Sequence, residues 1–157
     1  MIVIEGADCT GKTTLGKRLC KEYDLAYKHM SAPGEGFDHL YFYVSNYEDK
    51  VLWDRYHLGA LVYGWRLGLS NIGQMWELDA ARRFLKERGV IVIVLHSTPR
   101  QIIDRFSSKD EDYSPGQVLE ANELFRKLPD DWVDIRIDVT DKSVDQLVEE
   151  VKSWIEN

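Results

Sequence analysis

The chain has no long hydrophobic run. Its longest apolar stretch, Val90 to Leu95, falls far short of the roughly 20 residues a helix needs to span a bilayer. It is also poor in cysteine, with only Cys9 and Cys20. That is too little for a disulfide framework or a cysteine-based metal set, so a reducing compartment is the simpler setting. Positive charge is not in excess either: the formal net charge is −7, and no basic run appears that could track a phosphate backbone, which argues against a nucleic-acid polymer as partner. A small anionic ligand remains compatible, because a few cations in a cleft suffice whatever the net charge. No repeat, low-complexity tract or linker divides the 157 residues, and residues 1–157 are expected to form one domain. No basic or cleavable segment stands ahead of the first strand, so a cytoplasmic location is expected.

What is present is ordinary for a globular chain, 44% hydrophobic and 30% charged, apart from its opening. Ile2-Val3-Ile4-Glu5 reads as a buried strand, followed by Gly6-Ala7-Asp8-Cys9-Thr10-Gly11-Lys12-Thr13-Thr14 in the spacing G-x-x-x-x-G-K-T. Leu15 and Leu19 then recur at helical spacing, so the motif has the strand before and helix after that a phosphate-binding loop requires. Gly6 and Gly11 allow the backbone N–H groups to converge, and the helix N-terminus adds partial positive charge. Lys12 is placed to reach β- and γ-phosphates and the Thr13 hydroxyl to ligate Mg²⁺. The ATP-binding set expected from this loop is Gly6, Asp8, Cys9, Thr10, Gly11, Lys12, Thr13 and Thr14. Cys9, near the helix N-terminus, reads more simply as filler than as a reactive thiol.

Further on, residues 25–30 suggest a second strand and Ser31-Ala32-Pro33-Gly34-Glu35-Gly36 a strong break. Residues 38–48 form a tyrosine-rich amphipathic stretch, and a third strand from Lys50 to Trp53 ends at Asp54-Arg55. Helical periodicity covers His57 to about Leu69 and Gly73 to about Arg88, with Gly89 as a C-terminal stop. The β-branched and leucine run Val90–Leu95 fits a strand covered on both faces. Thr98-Pro99 and Ser114-Pro115-Gly116-Gln117 are helix starts; residues 133–137 alternate as a last strand, and residues 143–155 close the chain as an amphipathic helix. Strands alternating with helices give an α/β fold with a parallel sheet. Ligands in such sheets lie at the carboxyl ends of the strands, which places the loop after Glu5, the break at Ser31, and Asp54-Arg55 on one rim.

Asp54 at that rim suits the metal shell and Arg55 an anionic acceptor; the plainer reading is an Asp–Arg surface pair. The opening motif, with Asp8 two places after Gly6, together with Asp54-Arg55-Tyr56 and Val62-Tyr63, resembles the thymidylate kinases and their second signature D-R-Y-x-x-S-x-x-A-Y. The order of the later elements also agrees, through Thr98-Pro99-Arg100, Asp104-Arg105, Lys109 and Ile137-Asp138. The resemblance implies a phosphate-loop kinase fold with about five parallel strands in the order 2-3-1-4-5. It further implies that Asp8 contacts the deoxyribose 3′-hydroxyl, Arg55 the acceptor phosphate and Asp54 the metal region, with Tyr63 against the sugar's 2′ carbon. A small lid around residues 105–116 would carry Arg105 and Lys109, one of which must supply the charge that Cys9 does not. ATP and Mg²⁺ are the implied cofactors and a nucleotide the implied partner, with no membrane and, as protein partner, at most a second copy of the chain.

The sequence departs from that family in ways that bear on the acceptor. Met30-Ser31-Ala32-Pro33-Gly34-Glu35 stands where the family has T-R-E-P-G-G, and no arginine occurs between Met30 and Arg55. Phe37, Tyr41, Phe42 or Tyr43 are candidates for base stacking, and Arg66 for compensating the lost arginine. Gly59 and Gly64 replace the signature serine and a customary glutamine. The reading reached is a deoxynucleoside monophosphate kinase, with Lys12, Arg55, Arg105, Lys109 and Asp54 as catalytic residues. Its alternative is a deoxynucleoside kinase acting on a 5′-hydroxyl. A GTP-dependent switch would need an N-K-x-D motif, which is absent.

Overall fold

Short runs of isoleucine, valine and leucine lay down a parallel sheet of β1 (Ile2–Gly6), β2 (Ala26–His29), β3 (Val51–Asp54), β4 (Ile91–His96) and β5 (Ile135–Asp138). A computed structural model describes residues 1–68, 74–106 and 113–156. The strand order is β2-β3-β1-β4-β5 with every ladder parallel, as the family resemblance implies. Parallel neighbours need crossovers, and helices supply them on both faces. Ile2 and Ile4 pack on one face with Leu15 and Leu19 of α1 (Lys12–Tyr23) and Leu147, Val148 and Val151 of α7 (Val144–Ile155). Val3, one residue out of phase, faces the opposite core. That core holds Leu78 and Leu85 of α4 (Met75–Glu87), and Val118, Ala121 and Phe125 of α6 (Pro115–Arg126).

Several elements are shorter than their patterns suggest. The tyrosine-rich stretch yields α2 only over His39–Ser45, because Asp38 caps it by accepting the Tyr41 N–H at 2.8 Å. The alternation of residues 133–137 overstates β5, since the Asp134 carboxylate instead accepts the Val92 N–H at 2.8 Å ahead of the strand. The helix expected from His57 begins as α3 (His57–Gly59) but continues as a π-helical turn over Ala60–Arg66. Its wider bonding, with Leu67 N–H reaching the Val62 carbonyl at 3.1 Å, is not signalled by apolar spacing and is a feature often found beside functional sites. The capping boxes at Ser114–Gln117 and Ser143–Gln146 form on both sides, and Thr98 and Pro99 start α5 (Pro99–Arg105). Residues 107–112 of the lid expected at residues 105–116, Lys109 included, lie outside the described residues. Among the described residues no helix is long and apolar enough to cross a membrane.

One buried polar residue ties α6 to the end of β4. The Asn122 side chain accepts the Ser97 N–H at 3.0 Å and donates to the Ser97 carbonyl at 2.8 Å, fixing the turn into α5 at the sheet's carboxyl edge. Asn122→Ala leaves both buried backbone groups without partners, and a loss of about 2–3 kcal/mol is expected. Urea denaturation will show this as a lower midpoint at an unchanged slope.

Candidate active site

The loop between β1 and α1 is shaped by backbone constraints before any side chain acts. Gly6 has φ 143°, and a Cβ there would stand 2.4 Å from the Leu95 carbonyl oxygen. Cys9 and Gly11 both lie at positive φ, 66° and 85°, which curls the chain so that successive N–H groups face inward. Thr10 closes the curl by donating to the Ala7 carbonyl at 2.8 Å. The Lys12 ammonium is buried against the same loop, 2.6 Å from the Ala7 carbonyl and 3.8 Å from Asp8 Oδ1.

The second motif meets this loop through β1. Arg55 takes the left-handed conformation, φ 67°, a strain of about 1 kcal/mol for a side chain with a Cβ. It is held there by its own N–H to the Ile4 carbonyl at 2.9 Å. Immediately beyond, the Glu5 carboxylate accepts the Tyr56 N–H at 2.9 Å and the Leu58 N–H at 2.8 Å. The result is that Arg55 pairs with Asp8, not with the neighbouring Asp54. Asp8, Lys12, Thr13 and Arg55 then line one cleft of about 290 Å³. The simple surface pair between Asp54 and Arg55 is therefore not what forms.

Asp54 is fully buried and turned the other way. Its Oδ2 accepts the Thr13 hydroxyl and the Tyr27 phenol, each at 2.6 Å. Burial, and then the bond to Asp54, push the Tyr27 phenol up to about 12, so Tyr27 stays a donor. Asp54 Oδ1 is buried without a hydrogen-bond partner among the described residues. Thr13 and Asp54 thus present hard oxygen donors of the type Mg²⁺ prefers, with an unused lone-pair site.

Two further clefts flank the loop. On one side Cys9, Gly11, Thr14, Arg105, Lys142 and Val144 are among the residues lining a space of about 310 Å³, and Arg105 Nη1 approaches the Cys9 carbonyl at 3.4 Å. On the other, Met30, Ser31, Ala32, Pro33, Arg55, Ala60, Tyr63 and Tyr113 surround a narrower cleft. Tyr63 accepts the Asp8 N–H at 3.3 Å and stacks on Tyr113 with ring centroids 4.7 Å apart and planes at 13°. Tyr63 is thus both part of the core and a wall of the cleft.

Two expectations on this side need correction. Tyr43 is fully buried, with its ring 4.8 Å from that of Tyr56 and its carbonyl accepting the Tyr56 hydroxyl; it has no face for a base because the rings of Phe42, Tyr56 and His57 surround it. Arg66 is exposed at the end of the π-helical turn and does not line the cleft, since the extra residue per turn rotates it away from Tyr63. Glu5, Tyr27, His29, Lys142 and Tyr113 belong to the site without having been singled out. For Glu5 the signal was available, as a charged residue inside an apolar strand.

No family model matches the chain. Its sheet order, crossovers and glycine-bounded loop define the P-loop NTPase fold. It is similar to the SPbeta prophage-derived protein YorR of Bacillus subtilis (strain 168), with 27% identity over 139 residues, 82% of this chain and 81% of that protein. The structure of YorR in complex with phosphorylated GDP superposes with a TM-score of 0.78 at 22% identity, covering 99% of this chain and 95% of YorR. Thymidylate kinase from Candida albicans gives 0.62 at 18% identity, covering 99% and 90%. Deoxyadenosine kinase from M. mycoides with bound dATP gives 0.59 at 15%, covering 99% of both chains.

Glu5 also makes the site sensitive to pH. Burial pushes its carboxyl up to about 7, against the downward pull of the Leu58, Gly59 and Tyr56 N–H groups and of Lys12. A carboxyl raised in the folded state favours folding below its ordinary pKa, and that contribution is lost as pH rises from about 4.5 to about 7, a change of about 3 kcal/mol. Buried His57, pushed down to about 3, acts in the opposite sense at lower pH, so the two partly cancel in the native chain. Glu5 Oε2 lacks a partner among the described residues, and a Cβ at Gly59 would lie 3.5 Å from it. Gly59→Ser places a hydroxyl beside that oxygen. Its gain in stability is expected to be about 1–2 kcal/mol larger at pH 8 than at pH 5, because the new bond favours the ionised form. Paired urea titrations of the two proteins at both pH values measure it, and an equal gain at both would refute the assignment.

Proposed function

We propose that this chain is an ATP-dependent deoxynucleoside monophosphate kinase that moves the ATP γ-phosphoryl to a dNMP, giving a dNDP. The observation that carries this reading is the make-up of the acceptor-side cleft. It presents the Arg55 guanidinium and, among the described residues that line it, no carboxylate. A nucleoside hydroxyl needs a general base within hydrogen-bond reach to become a nucleophile, whereas a monophosphate oxygen is already ionised at neutral pH and needs a cation. Asp8 is the nearest carboxylate to Arg55, and its Oδ1 is engaged by Arg55 and faces Lys12.

In this reading Lys12 and the loop N–H groups bind the donor phosphates, and Arg105 adds charge from the far rim. Thr13 and Asp54 hold Mg²⁺, which when bound neutralises charge on the phosphate oxygens. Arg55 orients the acceptor phosphate, Asp8 the sugar, and the Tyr63–Tyr113 wall leaves little room for a 2′-hydroxyl. Catalysis then rests on alignment and charge, with no covalent intermediate. The second reading, a deoxynucleoside kinase, is favoured by Ser31. This residue lines the cleft where the thymidylate kinase pattern has an arginine, so a single arginine faces the acceptor.

A coupled ADP-release assay with ATP and Mg²⁺ against all deoxynucleosides and their monophosphates separates the two. Turnover on monophosphates is expected; turnover confined to nucleosides would install the second reading. Lys12→Ala is expected to lower turnover about 100-fold or more with an unchanged circular dichroism spectrum. Full activity in that variant would remove the phosphoryl-transfer reading altogether.

A further inference from the structure

β2 is an edge strand paired only with β3, and residues two apart on a strand share a face. Tyr27 and His29 therefore lie on the same side, and the register that sets His29 opposite Asp54 brings both to that carboxylate. Tyr27 donates to Asp54 Oδ2, and His29 Nδ1 stands 3.6 Å from the same oxygen. His29 also lines the cleft shared by Lys12, Thr13 and Arg55. With 44% of its side chain exposed it fills no core. Asp54 Oδ1 is buried and without a hydrogen-bond partner among the described residues, so this carboxylate keeps an unused lone-pair site.

We propose that His29 is a ligand of the divalent metal that accompanies the nucleotide, with Tyr27 as the positioning residue that holds Asp54; this rests on the kinase reading above. The shell would combine Thr13 Oγ1, an Asp54 oxygen and one imidazole nitrogen with nucleotide oxygens and water. The gap of 3.6 Å between Nδ1 and Oδ2 is wider than the roughly 3.0 Å between adjacent ligands of an octahedral ion at about 2.1 Å, so ligation would draw the exposed imidazole inward. A nitrogen donor suits a transition ion better than Mg²⁺, which prefers oxygen.

Mn²⁺ with a non-hydrolysable ATP analogue supplies the probe. Pulsed electron paramagnetic resonance is expected to show imidazole nitrogen coupling in the native protein and its loss in His29→Gln, which also separates it from any adenine nitrogen. Mn²⁺ affinity should fall about 10-fold in His29→Gln at an unchanged melting temperature, and several-fold in Tyr27→Phe with the nitrogen coupling retained. Tight Mn²⁺–nucleotide binding without imidazole coupling, or coupling that survives His29→Gln, would overturn the role of His29 and leave the kinase reading standing. Absence of Mn²⁺–nucleotide binding in the native protein would overturn both.

Discussion

The carboxylate of Glu5 is the joint on which the site depends. It sits at the end of the central strand, one residue before the phosphate loop, and takes the N–H groups of Tyr56 and Leu58 from the turn after β3. A single buried group thereby fixes the distance between the loop that would hold donor phosphates and the arginine that would hold an acceptor. Without it, the turn at Arg55 would lose two hydrogen bonds next to a backbone already held at positive φ, and such strain persists only where the surroundings over-determine it. The arrangement is costly to build, since desolvation pushes the acid up to about 7. The nearby Lys12 charge and the backbone dipoles offset part of that cost.

The same logic of paired charges in a poorly solvated space runs through the cleft. Asp8 is shared between Arg55 and Lys12, so neither cation is left facing the other uncompensated. Asp54 is held from two sides, by Thr13 of α1 and Tyr27 of β2, and a fully buried carboxylate needs such donors to keep its place. These bonds link β1, β2, β3 and α1 into one rigid frame. Preorganised groups of this kind do their electrostatic work without reorganising when charge moves.

How much of this could be read in the sequence follows from the range of the interactions involved. The loop from Gly6 to Thr14 is legible because its geometry is local: glycine spacing, a strand before it and a helix after it. The strand order and the two-faced core are nearly as legible, since Val3 against Ile2 and Ile4, and Val92 and Val94 against Ile93, encode the faces by alternation. The π-helical turn at Ala60–Arg66 is not, because it changes the period that apolar spacing assumes; that is why Tyr63 reaches the cleft and Arg66 turns away. Tyr43 could not be distinguished from Phe37, Tyr41 or Phe42 by type, and only packing decides which aromatics of that stretch turn inward. Tyr27 and His29 escaped notice because their meaning lies in the β2–β3 register, a pairing between residues 27 apart for Tyr27 and Asp54.

The contrast between the two ends of the site bears on function. The end that would hold donor phosphates is built from contiguous residues whose spacing tolerates no slippage. The acceptor end gathers Ser31, Arg55, Tyr63 and Tyr113 from four separate segments, so each can change without disturbing the loop. Gly59 shows the point at residue level. The serine of the thymidylate kinase signature would place a hydroxyl near Glu5 Oε2, which lacks a hydrogen-bond partner among the described residues, and Gly59 also lines the cleft wall. If this cleft takes the acceptor as proposed, its single arginine, with no carboxylate among the described residues that line it, would favour a phosphate. In that case selectivity would come first from the charge of the acceptor and only second from its nucleobase.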